Sequence, residues 1–212
     1  MGLIIIEGNI GAGKTTFAKH LARELGGEFL PEPDETTNPY LADYYKDPQR
    51  WAFEMQMFLL TRRFRAQRYA QASVRYHGGY VIIDRSYYGD ICFANVQKQL
   101  GYFSERDYQT YMYHHDDMQW YIESPDLSIF LDVDPQTCKA RISKRLSEKE
   151  GRQCEASISL DYLNRLDYEI QALSQEMQKK CRVKHFDWAC DHCDDELREA
   201  VWIIAQSIRE EK

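Results

Sequence analysis

A glycine-rich stretch at residues 7–16, with the sequence EGNIGAGKTT, constrains the fold of this chain more than any other feature. Four residues occupy the fixed positions of the pattern G-x-x-x-x-G-K-[ST]: Gly8, Gly13, Lys14 and Thr15. In that pattern, glycines let backbone N–H groups turn inward around a phosphate, and the following helix adds the partial positive charge of its N-terminus. The stretch therefore predicts a phosphate-binding loop.

The sequence on either side of this loop fits the strand and the helix that the motif requires. Residues 3–6 (LIII) form an apolar, β-branched run that is typical of a buried parallel strand. Phe17, Leu21 and Leu25 then recur at helical spacing until a pair of glycines ends the pattern. A glycine-rich turn without a ligand is the alternative interpretation, but every fixed position of the motif is filled in the required context.

The residues of the loop have distinct expected roles. Lys14 is expected to neutralise the β- and γ-phosphates of a nucleoside triphosphate, and the Thr15 hydroxyl is expected to ligate Mg²⁺. We predict that the phosphates contact the whole loop, which comprises Gly8, Asn9, Ile10, Gly11, Ala12, Gly13, Lys14, Thr15 and Thr16.

Length and charge narrow the class of protein. The 212 residues suit one domain spanning residues 1–212, and the formal net charge of −7 argues against general binding to nucleic acid or anionic membranes. No apolar run reaches membrane-spanning length, and the loop begins too close to Met1 to leave room for a targeting peptide. With six cysteines and no signal sequence, we expect reduced thiols and a cytoplasmic protein.

Two of the cysteines, Cys190 and Cys193, flank an Asp-His pair in a pattern that resembles half of a zinc site. A zinc site needs a second Cys/His pair, and none lies at a useful spacing in the sequence. We therefore favour a loop with two ordinary thiols over a metal site.

Four further apolar runs predict the rest of a parallel sheet. They lie at residues 28–30, 80–83, 127–132 and 183–186, and each is followed by a polar or helical stretch. This alternation predicts an α/β protein with the three-layer P-loop NTPase fold, in which helices flank a five-stranded parallel sheet. In such a sheet the ligand site lies at the carboxyl ends of the strands, here just after Ile6, Leu30, Ile83 and Leu131.

Helix boundaries and buried helix faces are also predictable. Asp47 and Asp134 each precede a proline at a first helical position, and Ser104 with Asp107 forms a capping-box pattern. Two stripes at helical spacing are expected to form core or a dimer seam: Leu163, Leu166, Ile170, Leu173 and Met177, and Leu197, Val201, Ile204 and Ile208.

The loop after the second strand carries a candidate general base. Glu32 lies between Pro31 and Pro33, which restrict the backbone and exclude a helix. A carboxylate aimed from a phosphate-binding edge suits deprotonation of a hydroxyl acceptor. A solvated loop glutamate is the alternative, but the position of Glu32 at a strand end favours the base.

Charged residues also follow the third and fourth strands. Asp84 is a candidate to hold the Mg²⁺ shell, and Arg85 is a candidate to clamp the transferred phosphoryl group. Beyond the fourth strand, a lid at about residues 141–157 contains Arg141, Arg145 and Arg152, which would exclude water and neutralise transition-state charge. Solvated arginines are the alternative, and the sequence leaves open which of the three reaches the donor phosphates.

Five stretches of the chain resemble, in order, the motifs of deoxyribonucleoside kinases. They are EGNIGAGKTT, the EP at residues 32–33, YYKDPQRWAFEMQ, the DRS at residues 84–86, and GRQCEASISLDYL. NPYLADYYKDP and the DRS motif are most similar to the bacterial deoxyadenosine/deoxyguanosine kinase branch. The resemblance implies a kinase that uses ATP and Mg²⁺ to phosphorylate the 5′-hydroxyl of a deoxyribonucleoside. It also implies a homodimer built on helices near residues 48–76 and 105–122.

The resemblance implies roles for the residues of the acceptor site. Glu32 matches the base that deprotonates the 5′-hydroxyl, and Arg85 matches the arginine that holds the base and the phosphate in place. Asp84 matches the acid on the Mg²⁺ side. Tyr45 and Glu155 match the residues that bind the sugar 3′-hydroxyl.

Three further residues match the nucleobase pocket. Gln56 matches the amide that reads the nucleobase edge, with Arg63 and Asp90 beside it. Gln56 lies on an otherwise apolar helix face, and Arg63 follows two turns later on that face, so we expect a shared pocket. Arg63 and Asp90 are expected to pair, because neither charge tolerates isolated burial. Their donors and acceptors favour a purine, deoxyadenosine or deoxyguanosine.

Two other functions stay open at this point. A nucleoside monophosphate kinase of the thymidylate type would need basic residues for the substrate phosphate where this chain has Glu32 and Tyr45. A non-catalytic subunit with the same fold would be expected to lack Lys14, Glu32 or Arg85, and all three are present. Because the phosphate loop adjoins the nucleoside pocket, we also expect a deoxynucleoside triphosphate to bind across both and to inhibit.

Overall fold

A computed structural model describes residues 2–34, 36–147, 157–189 and 194–210 of the chain. Within these residues the strands are β1 (Gly2–Gly8), β2 (Glu28–Leu30), β3 (Tyr80–Asp84), β4 (Leu127–Asp132) and β5 (Arg182–Asp187). The helices are α1 (Lys14–Leu25), α2 (Leu41–Lys46), α3 (Pro48–His77), α4 (Tyr87–Gln99), α5 (Glu105–Gln119), α6 (Pro135–Ser147), α7 (Leu160–Met177) and α8 (Asp194–Glu210).

The strands form one parallel sheet in the order β2-β3-β1-β4-β5. β1 is central, and its Ile5 lies opposite Ile83 of β3 and Ser128 of β4. Every residue of β1 is buried, because helices cover both faces of the sheet. The expected α/β fold with a five-stranded parallel sheet is confirmed.

Two groups of helices flank this sheet. α1 packs with α8, while α4 packs with both α3 and α7. The two apolar stripes on α7 and α8 that the sequence predicts are all buried, so both belong to the hydrophobic core. The helical spacing of these residues reflects this burial, since one face of α7 meets β1 and β5, and one face of α8 meets α1.

The predicted helix starts are confirmed by their caps. α3 begins at Pro48, and the Asp47 carboxylate accepts a hydrogen bond from the Arg50 N–H. Ser104 and Asp107 form the reciprocal capping box at the start of α5. These polar side chains satisfy backbone N–H groups that have no partner within the helix.

The described residues contain no helix that is both long enough and apolar enough to span a membrane. Cys190 and Cys193, the two thiols of the half zinc-site pattern, lie outside the described residues. The three cysteines for which a state is described, Cys92, Cys138 and Cys181, are free thiols.

Candidate active site

A cavity of about 450 Å³ lies at the carboxyl ends of β1, β2 and β3. It brings together twelve of the residues singled out in the sequence: Ile10, Gly11, Gly13, Lys14, Thr15, Thr16, Glu32, Tyr45, Arg63, Asp84, Arg85 and Arg145. The described residues at the end of β4 do not line this cavity. Its last residue, Asp132, pairs with His185 of β5, while Arg145 of α6, the helix that follows β4, does line the cavity. Chemistry directly after Leu131 stays a prediction.

The phosphate loop is held in shape from outside by α6 and α7. Gly11 has a φ of 86°, and a Cβ there would lie 2.6 Å from the Cys138 carbonyl oxygen, so only glycine fits. The Asn9 side chain donates to the Leu163 carbonyl of α7 at 2.9 Å and accepts from the Ile10 N–H at 2.8 Å. Asn9 therefore anchors the loop, and its buried side chain points away from the cavity.

Lys14 lies inside the loop with its ammonium group nearly dry. Its Nζ donates to the Asn9 carbonyl at 2.7 Å. Burial and the neighbouring charge of Arg85 lower the pKa of Lys14 to about 8, and the carboxylates of Asp84 and Glu32 act in the opposite direction. An ammonium group in this position gains stability from any anion that enters the loop.

Thr15 and Asp84 form an oxygen-rich pair beside Lys14. The Thr15 hydroxyl donates to the Asp84 carboxylate at 2.5 Å. Burial raises the pKa of Asp84, and Lys14 opposes that rise. The other carboxylate oxygen of Asp84, Oδ1, is buried and lacks a hydrogen-bond partner among the described residues. Hydroxyl and carboxylate oxygens with a free site are the donors that Mg²⁺ prefers.

Glu32 lies between two buried guanidinium groups. Its Oε1 pairs with Nη2 of Arg63 and lies 3.1 Å from Nε of Arg85. The Arg63 and Arg85 side chains are each 2% exposed, whereas Glu32 is 15% exposed and faces the cavity. The carboxylate is therefore held by two cations and still reaches the space where an acceptor would bind.

Arg63 and Asp90 form the ion pair that the sequence predicts. Nη1 of Arg63 pairs with the Asp90 carboxylate, which also accepts from the Tyr111 hydroxyl at 2.7 Å. Burial acts to lower the pKa of Arg63, but the charges of Asp90 and Glu32 raise it above its usual value. Arg63 thus keeps its charge and joins the candidate base to the buried carboxylate of α4.

Gln56 lies behind the cavity wall and does not contact the cavity. Its amide donates to the Asp90 carboxylate at 2.8 Å and accepts from the Gln97 amide at 2.7 Å. The partners that we expected a nucleobase to supply are present within the fold. Met55, Leu59 and Phe93 form the apolar part of the wall beside Arg63.

The two lid arginines in the described residues differ in position. Arg145 lines the cavity, but Arg141 donates to the carbonyls of Trp188 at 2.9 Å and Ala189 at 3.1 Å. Arg141 also donates to the Ala12 carbonyl at 3.4 Å, so it joins α6 both to the phosphate loop and to the segment after β5. Arg152 and Glu155, the other predicted lid and sugar-binding residues, lie outside the described residues.

Three residues near the site escaped the sequence interpretation. Tyr44 and Tyr162 line the cavity and form a hydrogen bond between their hydroxyls. Glu7 is fully buried beneath Arg85. Glu7 could have been recognised from the sequence, because it is a charged residue that directly follows an apolar strand pattern. The sequence did not distinguish the two tyrosines, since aromatic residues are common in cores.

The buried ion pair between Arg63 and Asp90 predicts how single and double substitutions of these residues change the free energy of unfolding. Asp90→Ala should destabilise the protein by roughly 3–5 kcal/mol, because it leaves a buried guanidinium without one of its counter-charges. The double change Arg63→Met with Asp90→Ala should lower the free energy of unfolding by less than Asp90→Ala alone. Urea unfolding of the wild type, Asp90→Ala, Arg63→Met and the double variant measures both quantities.

Glu123→Ala serves as a control, since Glu123 pairs with Arg75 on the surface and its loss should change stability by about 1 kcal/mol or less. If the losses of stability in the two single variants simply add in the double variant, Arg63 and Asp90 are not energetically coupled.

Comparisons with known proteins identify relatives of this chain in sequence and in fold. Over 188 residues the chain is 39% identical to a deoxyguanosine kinase of Dictyostelium discoideum. The matched region covers 88% of this chain and 64% of that protein. Over 164 residues it is 35% identical to a deoxyadenosine/deoxycytidine kinase of Bacillus subtilis, and that match covers 76% of this chain and 70% of the relative. The structure of M. mycoides deoxyadenosine kinase with bound dATP matches with a TM-score of 0.80 at 27% identity, over 98% of this chain and 99% of that one.

The sequence pattern that defines deoxynucleoside kinases matches residues 4–206, nearly the whole chain. It spans the phosphate loop, the Glu32 loop, the Arg63 helix and the Asp84–Arg85 turn that together form the cavity. The chain belongs to the deoxynucleoside kinase family.

Proposed function

We propose that this protein transfers the γ-phosphate of ATP to the 5′-hydroxyl of a deoxyribonucleoside, in nucleotide salvage. One observation carries the proposal: the Glu32 carboxylate faces the cavity that also holds the phosphate loop, and two arginines hold it in place. Glu32 takes the proton of the 5′-hydroxyl, and the oxygen attacks the γ-phosphorus. The bond to the β-phosphate oxygen breaks, and ADP leaves.

Other charged residues stabilise the transferred group. Lys14 neutralises the donor phosphates, Arg85 contacts the phosphoryl group, and Arg145 approaches from α6. Thr15 and Asp84 are the residues that would hold Mg²⁺, because their oxygens are adjacent and one Asp84 oxygen lacks a hydrogen-bond partner among the described residues. When bound, Mg²⁺ supplies charge neutralisation at the donor phosphates.

The same geometry weighs against the two other functions. A nucleoside monophosphate brings a dianionic phosphate to the acceptor side, where the Glu32 carboxylate would repel it. A non-catalytic subunit would not need to keep the charges of Lys14 and Arg85 buried beside Glu32, since each buried charge opposes stability.

Glu32→Gln tests the base directly. The amide keeps the shape of the side chain but cannot take the proton, so we expect kcat to fall by roughly 10²–10⁴-fold with little change in KM. Glu28→Gln is a matched control, because Glu28 is an exposed residue of β2 that pairs with Tyr69, and kcat should be unchanged. Near-normal turnover of a folded Glu32→Gln variant would show that Glu32 is not the general base.

Purine preference rests on the Arg63–Asp90 pair. The relatives named above phosphorylate, by their names, deoxyguanosine, deoxyadenosine or deoxycytidine. The Arg63 guanidinium lines the cavity and offers donors to the N7 acceptor of a purine. Thymine lacks that acceptor and brings a methyl toward the charges, which leaves buried groups without partners.

A panel of four deoxyribonucleosides with ATP and Mg²⁺ measures this preference as kcat/KM. We expect deoxyadenosine or deoxyguanosine to be best, deoxyadenosine slightly favoured, deoxycytidine next, and thymidine at least roughly tenfold poorer. Arg63→Met with Asp90→Ala should shift the ranking toward pyrimidines, whereas either single change should mainly lower activity. Highest kcat/KM with thymidine would contradict this account of the pocket.

A deoxynucleoside triphosphate is expected to inhibit. The cavity is continuous from the phosphate loop to Arg63, so such a ligand can place its phosphates in the loop and its base in the acceptor pocket. The triphosphate of the best substrate should compete with ATP and raise the melting temperature by mass action. Deoxyadenosine alone should not compete with ATP. A triphosphate that neither inhibits nor stabilises at millimolar concentration would show that the pockets do not serve one ligand.

We further propose a single cytoplasmic kinase domain over residues 1–212 with a lid at about residues 141–157, assembled as a homodimer. Large aromatic side chains on α3 and α5 support the dimer, since they are exposed where a partner would cover them. They are Tyr69, Tyr76 and Tyr113.

A further inference from the structure

Glu7 is a charged residue in the most buried strand of the sheet. Its side chain is 0% exposed, and it follows four apolar residues of β1. Burial raises the pKa of Glu7, and the charge of Arg85 and hydrogen bonds from Ser86 oppose that rise. An apolar residue of similar size would avoid this desolvation, so the carboxylate calls for an explanation other than stability.

The contacts of Glu7 converge on the turn between β3 and α4. Its Oε1 accepts hydrogen bonds from the Ser86 N–H at 2.9 Å and the Ser86 hydroxyl at 2.6 Å. Its Oε2 lies 3.9 Å from Nη1 of Arg85. Glu7 therefore holds the residue next to Arg85 by two hydrogen bonds and attracts the guanidinium itself.

Arg85 has a backbone that needs such support. Its φ of 66° places it in the left-handed region, and it is the one non-glycine residue there in the described part of the chain. This conformation is unfavourable for a residue with a Cβ and persists where surrounding contacts hold it. The contacts here are the Arg85 N–H bond to the Ile6 carbonyl at 3.0 Å and the two bonds from Ser86 to Glu7.

Space for the carboxylate is built into α4. Gly89 lies against Glu7, and a Cβ at residue 89 would be 2.5 Å from Oε2 of that carboxylate. The guanidinium of Arg85 is then confined from another side, where it lies over the Phe93 ring with its Cζ 4.4 Å from the ring centre. The result of this confinement is the 3.1 Å approach of Arg85 Nε to Glu32.

We propose that Glu7 is a positioning residue of the kinase reaction: it holds Arg85 in the left-handed turn that aims its guanidinium at Glu32 and the transferred phosphoryl group. The inference rests on the proposed function, since it assigns a role within that reaction. Glu7 does not line the cavity, so its role is to act through the residues that it holds, and its direct polar contacts are with Arg85 and Ser86.

A double-mutant cycle tests whether Glu7 acts through Arg85. Kinetics with the best nucleoside and ATP are compared for the wild type, Glu7→Gln, Arg85→Lys and the double variant. Glu7→Gln keeps acceptors for Ser86 but removes the charge, and we expect kcat to fall roughly 10–100-fold. KM for ATP should stay within about threefold, because contacts from α6 and α7 also hold the phosphate loop. In the Arg85→Lys background, the same change should lower kcat by about threefold or less.

Controls separate positioning from general damage. Ser128→Ala changes an equally buried polar residue of neighbouring β4, and kcat should be unchanged. If Glu7→Gln does not fold, Ser86→Ala cuts the same link from the other side, and its effect on kcat should likewise shrink in the Arg85→Lys background. Equal losses in both backgrounds would overturn the role of Glu7. A wild-type protein that phosphorylates none of the nucleosides would instead overturn the proposed function, and the inference with it.

Discussion

Two guanidinium groups without access to water dominate the energetics of this site. Arg63 and Arg85 are each about as buried as the hydrophobic core, and a dry cation is tolerated only beside an anion. Asp90 and Glu32 neutralise the first, while Glu32 and Glu7 neutralise the second. The shared carboxylate is the partly exposed one, so the same ion pairs that make burial possible also fix the candidate base.

This charge network requires accurate packing of four parts of the fold. Glu7 belongs to β1, Glu32 to the loop after β2, Arg63 to α3, and Arg85 to the turn after β3. The parallel register of β2, β3 and β1 brings three of these parts to one edge of the sheet. α3 supplies the fourth by packing against β3 and α4. A shift of any one element would leave a buried charge without its counter-charge. The ion pairs therefore form only when all four parts of the fold are correctly packed.

The donor half of the site is built by different contacts. α6 and α7 press on the phosphate loop through the Cys138 and Leu163 carbonyls, and Lys14 closes it from inside. Lys14 and Asp84 face both halves, because each interacts electrostatically with Glu32. A donor phosphate that enters the loop therefore meets the charges that also hold the base, and the two substrates share one electrostatic environment.

Local signals in the sequence were sufficient for the secondary structure. The five strands lie within two residues of their predicted bounds. β1, β3 and β4 are largely buried apolar runs, while β2 and β5 are half-buried runs that contain apolar residues between polar segments. The caps at Asp47 and Ser104 were equally local, because a cap bonds to an N–H two or three residues away. Lys14 and Thr15 were recognisable for the same reason: one loop contains all the contacts that define them.

Only the tertiary structure decided how distant side chains pair. The sequence indicated the Arg63–Asp90 pair but not the second bond of Arg63 to Glu32. It grouped Arg141 with the phosphate-binding arginines, but not with the carbonyls after β5 that this side chain binds in addition to the Ala12 carbonyl of the phosphate loop. Motifs and periodicities record neighbours along one strand or helix, while these bonds join elements tens of residues apart. The sequence by itself therefore determined the sheet, the helices and the phosphate loop, and tertiary packing determined which charges share a buried counter-ion.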